Sequence, residues 1–205
     1  MRTLLDVLFP PQCAGCNALG AGICNACAPR GETIRIRFPS LRVTAFGPYE
    51  GTLRAAVLAV KDGRRDVAEA LGQIVAGLVE PRTLLVPIPT TNKRRRVRGI
   101  DGVALIAHHA AQGAGARLLP ALEQRSGDAQ RGRSRIDRLA ARGRFTCNPA
   151  PVAARRVTLF DDVCTTGATL RDCAAAVREA GGFVEDAVVV AVTKSGQSWS
   201  APMID

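Results

Sequence analysis

The chain has 205 residues, 47% hydrophobic and 22% charged, with a formal net charge of +10. That length suits one full-sized domain with a small appendage, and the charge implies anionic partners, either phosphorylated small molecules or nucleic acid, although solubility alone would also account for it. Aromatics make up only 4%, which argues against a surface that stacks bases.

The opening MRTLLDVLFPP is short for a signal-peptide core and is interrupted by Asp6. No later stretch is long or apolar enough to span a membrane, so a cytoplasmic protein is expected. Next come Cys13, Cys16, Cys24 and Cys27, spaced C-x2-C-x7-C-x2-C. Each C-x2-C turn presents two thiolates to one ion, which points to tetrahedral zinc. Two disulfides or an iron–sulfur cluster would use the same four sulfurs. Four protein ligands leave no open coordination position, so the expected role is structural. Cys147, Cys164 and Cys173 are left over and are read as reduced thiols.

Residues 28–40, with Pro29, Gly31 and Pro39, read as a linker. LRVTAFG (41–47) reads as a strand. In TLRAAVLAVK, apolar residues at Leu53, Ala56, Val57 and Val60 predict a helix, and Val67, Leu71, Ile74, Val75 and Leu78 predict a second over 65–80. Lys61 reads as a solvated charge at the end of the first helix. TLLVPIP (83–89) is a buried parallel strand closed by prolines. GVALIAHHAA (102–111) predicts a helix in which His108 and His109 are structural. ARLLPAL (116–122) is a strand candidate weakened by Pro120. RVTLF (156–160) is a strand, 168–182 an amphipathic helix stopped by Gly181 and Gly182, and AVVVAVT (187–193) a last buried strand. Alternating strands and helices give an α/β fold with a mainly parallel sheet. The expected division is 1–40 for the cysteine module and linker, and 41–205 for the α/β domain.

Between the last strand–helix pair lies the stretch DDVCTTGAT, Asp161 to Thr169. Read as the loop after a parallel strand, it sits where open α/β sheets bind ligands. Backbone N–H groups and hydroxyls of Thr165, Thr166 and Thr169 would form a phosphate cup at a helix N-terminus, with Gly167 permitting close approach. Asp161 and Asp162 would repel that phosphate, so they are expected to face vicinal sugar hydroxyls, with hydrated magnesium nearby. A 5-phosphorylated ribose offers both ends. The alternative is an exposed Asp-Asp turn followed by an ordinary helix cap. Cys164 reads as a filler position, although a helix N-terminus can lower a thiol pKa.

VTLFDDVCTTGAT closely resembles the signature of type I phosphoribosyltransferases, which bind phosphoribosyl pyrophosphate (PRPP). Nearly the whole chain resembles the ComF family, in which a four-cysteine zinc module precedes such a domain. The resemblance rests on the cysteine pairs, YEGTLRAAVLAVK (49–61), LLVPIP followed by RRRVRG (94–99), the segment around Arg125–Gln130, and the signature itself. Where the family often reads RGFNQ, this chain reads RGIDG (98–102). The resemblance implies a type I phosphoribosyltransferase-like domain over 41–205, with catalytic Asp161 and Asp162. Phosphate contacts would come from Val163, Cys164, Thr165, Thr166, Gly167, Ala168 and Thr169. Pyrophosphate would be gripped by Thr90, Thr91, Lys93, Arg94 and Arg98, with magnesium, and Arg125–Arg144 would supply a hood. For KRRRVRG the place after a strand end favours the pyrophosphate grip over a nucleic-acid contact or a solvated loop. Family members assist uptake of single-stranded DNA during competence, so such DNA and DNA-uptake proteins are expected partners under the alternative reading. A salt titration against a labelled oligonucleotide checks it.

Overall fold

The computed structural model describes residues 10–90, 101–125 and 143–193. Its centre is set by two strands whose apolar runs need cover on both faces. These are β7 (Arg156–Cys164) and β8 (Phe183–Val192), and the last six residues of β8 are all buried. Around them the elements run in chain order: β1 (Ile34–Phe38), β2 (Leu41–Pro48), α1 (Gly51–Lys61), α2 (Arg65–Val75) and β3 (Leu84–Pro87). Then follow α3 (Gly102–Ala114), β4 (Arg117–Leu118), β5 (Leu122–Gln124), β6 (Phe145–Cys147), β7, α4 (Ala168–Glu179) and β8.

The main sheet has six strands in the order β1-β2-β8-β7-β3-β4. All pairings are parallel except β1 with β2. β5 and β6 form a separate antiparallel pair. Helices cover both faces, as a parallel sheet requires. On one face α1, α2 and α3 pack over Leu85, Phe160, Val188 and Val190. On the other, α4 and the β5–β6 pair cover Val43, Val86, Leu159 and Val189. The α2–α3 contact is close because position 72 is glycine: a Cβ there would lie 2.4 Å from His109 Cβ. His109 is thereby a packing residue. Among the described residues no helix is long and apolar enough to cross a membrane.

Four expectations change. The 28–40 segment is not all linker, because it carries β1, whose Ile34, Ile36 and Phe38 face the core while Arg35 and Arg37 are exposed. The second helix ends at Val75 and tightens into a 3-10 turn over Ala76–Leu78. The 116–122 candidate splits at Pro120, which has no N–H to give a ladder. Its halves, β4 and β5, join different sheets. β7 does not stop at Phe160. It pairs with β8 as far as Cys164 opposite Val192, so both aspartates lie in the strand, and only Thr165–Gly167 form the turn before α4.

Candidate functional site

The carboxyl ends of the parallel strands are tied together by backbone bonds. Tyr49 N–H donates to Val192 O (2.7 Å), Ile88 N–H to Phe160 O (2.8 Å), and Thr193 N–H to Cys164 O (3.1 Å). A cavity of about 490 Å³ opens over this edge, within the size range of small-ligand sites. Its walls include Tyr49, Lys61, Thr90, Gln124, Arg144 and Phe145, and its floor is Asp161, Asp162 and Val163 with Thr165 and Thr169 beside them.

The two aspartates are not equivalent. Asp161 is 9% exposed. Burial, and then the adjacent Asp162 charge, push its carboxyl well above the usual carboxylate range, with Lys61 opposing. It accepts the Asp162 N–H on Oδ1 at 2.9 Å. Asp162 accepts the Val163 N–H on Oδ1 at 2.7 Å and pairs through Oδ2 with the Lys61 ammonium at 3.0 Å. The floor therefore offers one buried carboxyl biased toward its protonated form and one ion-paired carboxylate.

The turn that follows is shaped by packing. Gly167 has φ +70, and a Cβ there would meet the Phe38 ring at 2.4 Å. The glycine is thus required by its left-handed backbone and by an aromatic neighbour from β1. Thr166 Oγ1 accepts the Ala168 N–H at 3.4 Å, a local cap. Cys164 is 2% exposed and belongs to the core beneath α4. Burial, with Asp161 adding to it, pushes its thiol up to about 11, the reverse of the helix-terminus effect. Of the signature residues, Asp161, Asp162, Val163, Thr165 and Thr169 line the cavity, while Cys164, Thr166, Gly167 and Ala168 do not.

Thr90 also lines the cavity, but Asp101 engages both its donors. The Thr90 amide and hydroxyl donate to Asp101 Oδ2 (3.2 Å) and Oδ1 (3.1 Å), and Oδ1 also accepts the Ala104 N–H that starts α3. Asp101 is thus a helix cap. Thr91, Lys93, Arg94 and Arg98 lie outside the described residues, as does 126–142 of the expected hood. The stem of that segment is described: Arg125 N–H donates to Arg144 O (3.0 Å), and Arg144 pairs with Asp172 of α4 (2.9 Å). Among the described residues Gln124 Oε1 is buried without a partner.

Sequence reasoning gave no site role to Lys61, Tyr49, Gln124 or Thr193, and named Arg144 only as the end of the expected hood. For Lys61 a signal was present. It lies four residues past Val57, at the edge of the buried face of α1 rather than on the outer face.

The N-terminal cysteines also converge. Their four Sγ atoms lie within 4.8 Å of one another, and Cys16 Sγ and Cys24 Sγ are 3.7 Å apart. Four thiolates at about 2.3 Å from one ion would stand roughly 3.8 Å apart, whereas a disulfide needs about 2.05 Å. The cluster therefore suits a metal ion. Burial opposes ionisation of Cys13, but N–H groups of Cys24, Cys16 and Gly15 outweigh it and lower the thiol to about 6. Hydrogen bonding with Cys16 and Cys24 pushes Cys27 up to about 12. The module rests on the α1–α2 corner, where Arg64 donates to Gln12 O and pairs with Asp66 at 2.6 Å. A Cβ on Gly22 would lie 2.7 Å from Asp66 O.

No protein-family model and no curated protein matches the chain. Among solved structures it is similar to the allosteric regulatory enzyme of purine biosynthesis, with 20% identity and a TM-score of 0.47 over 60% of this chain and 26% of that one. It is also similar to the glutamine phosphoribosylpyrophosphate amidotransferase from B. subtilis complexed with ADP and GMP. There the identity is 20% and the TM-score 0.44, again over 60% and 26%. The chain thus spans about a quarter of the length of these solved structures.

Proposed function

We propose that the cavity binds a 5-phosphorylated ribose, with PRPP as the ligand, and that the protein is phosphoribosyltransferase-like. The observation that supports this most is a single juxtaposition. Two unlike carboxyl groups and two threonines, Thr165 and Thr169, share one cavity at the carboxyl edge of a parallel sheet. Ribose hydroxyls would donate to Asp162, with Asp161 beside it able to donate or accept. The 5-phosphate would accept from the threonine hydroxyls at the start of α4, where the helix dipole favours an anion. If the bond to pyrophosphate breaks, the positive charge developing on the ribose lies over these carboxyl groups.

Magnesium fits as an ion carried by pyrophosphate rather than as a resident one. Asp161 is buried and Asp162 is already paired with Lys61, so Asp162 would be its one carboxylate neighbour. When bound, the ion would neutralise charge on the leaving group. For the cysteine module we infer zinc, which prefers four thiolates in tetrahedral array. The expectation of single-stranded DNA binding rests on the net charge of +10, the Lys93–Arg98 cluster and the arginine-rich Arg125–Arg144 segment, and the cavity geometry supports the ribose reading better.

Calorimetry with PRPP and magnesium tests the proposal. One site per chain is expected, competed by ribose 5-phosphate and lost in the Asp161→Ala/Asp162→Ala variant with its fold retained. Absence of binding by the wild type, or equal binding by the variant, would remove the assignment.

A further inference from the structure

We propose that Lys61 is a positioning residue for ribose recognition, holding Asp162 in place as a resident counter-cation. This deepens the ribose reading above and rests on it.

The geometry is specific. Lys61 is the last residue of α1, and its ammonium lies 3.0 Å from Asp162 Oδ2, with the lysine side chain 31% and the aspartate side chain 18% exposed. The other oxygen, Oδ1, accepts the Val163 N–H at 2.7 Å. Asp162 is therefore anchored by two elements, one contact to each oxygen. Its remaining lone pairs are the acceptors left for a ligand. Lys61 itself lines the cavity, so its remaining donors are available at the same place. The turns behind it are fixed, because Val57 and Val60 are buried in the core beneath α1. The ammonium also sits at the C-terminal end of its helix, where the dipole favours a cation.

The residue type points the same way. The chain has 25 arginines and 3 lysines, so arginine is its default cation. At this position a guanidinium would present a planar fork that takes both oxygens of one carboxylate, competing with the Val163 N–H and with any ribose hydroxyl. An ammonium is a compact charge that can bond one oxygen and leave the other faces open. Two adjacent carboxyl groups with no cation beside them would attract a hydrated metal or take up a proton. Lys61 balances the pair while keeping the cavity open for a neutral diol.

Calorimetry on the full chain tests this with ribose 5-phosphate and, separately, inorganic phosphate, comparing wild type, Lys61→Met and Lys61→Arg. Lys61→Met is expected to weaken ribose 5-phosphate binding about tenfold or more, while leaving phosphate binding at the threonine cup unchanged. Lys61→Arg is expected to restore only part of the loss. Equal loss for both ligands would mean that Lys61 only supports the fold, and full affinity in Lys61→Met would mean that it does not position Asp162. Either outcome overturns the inference and leaves the ribose reading standing. Failure of the wild type to bind ribose 5-phosphate overturns both.

Discussion

The cysteine module and the sheet edge each crowd together groups that become negative, and the two regions balance them in different ways. In the N-terminal module four thiols lie within 4.8 Å of one another, and Arg64, which feels the Cys13 charge, is already paired with Asp66. Backbone N–H groups lower the Cys13 thiol to about 6, while hydrogen bonding with Cys16 and Cys24 pushes Cys27 up to about 12. At the sheet edge, two carboxyl groups stand side by side, and the chain balances them itself. Burial biases Asp161 toward its protonated form and Lys61 pairs with Asp162. A structural centre can be closed permanently by an ion, because nothing else has to enter. A binding floor has to remain open, so its charge is balanced by side chains at the rim.

Removing the outside cation should give the largest effect. One zinc per chain is expected by elemental analysis. In the Cys13→Ser/Cys24→Ser variant, zinc should be lost and the module should come apart, since such sites contribute about 10–16 kcal/mol of folding free energy. Hydrogen exchange reads this locally: protection of the Cys13 and Ala14 amides, which donate to Ala18 O and Gly22 O, should vanish while β7 and β8 stay protected. Zinc-free protein with those amides protected would break the comparison. A smaller effect is expected at the cup. Thr165→Val with Thr169→Val should weaken ribose 5-phosphate binding by about 1.5–3 kcal/mol for each lost hydrogen bond to the charged phosphate. Unchanged affinity would place the phosphate elsewhere.

The smallest effect concerns Asp161. A carboxyl raised on folding carries no penalty below the unfolded value of about 3.9, where both states are protonated. As pH rises above that, the unfolded chain ionises first and stability falls until the folded group also ionises. Asp161→Asn should therefore stabilise the protein at pH 7 by about 1 kcal/mol, and the gain should shrink toward pH 4. Thermal melts at the two pH values check it, and a constant difference would show that burial imposes no charge penalty there.

Much of this arrangement was legible in the sequence, for reasons that differ along the chain. α1 and the apolar run of β8 were readable because their periodicity is strong and local. The cysteine pairs were readable because ligand spacing is itself local. β1 was hidden by Pro29, Gly31 and Pro39, which punctuate a five-residue strand so closely that its Ile-Arg alternation looks like linker. The end of β7 was misplaced because two aspartates resemble a loop. Backbone pairing with β8 does not depend on those side chains and continues past them. Cys164 was read as a filler position, whereas its side chain is buried in the core beneath α4. Lys61 meets Asp162 only after folding brings α1 to the end of β7.

The strand order also fixes a sequence of events in time. β2 lies beside β8, with Arg42 opposite Asp186. The sheet therefore cannot close on its middle strand until almost the whole described chain has left the ribosome. The cysteine module draws all four thiols from positions 13 to 27, and its partners are available almost at once. Contacts of short sequence separation form quickly, and distant strand pairings wait for loop closure. During synthesis the cysteine cluster can therefore be assembled while β2 still exposes an unpaired edge, the kind of surface on which chaperones act and nascent chains aggregate.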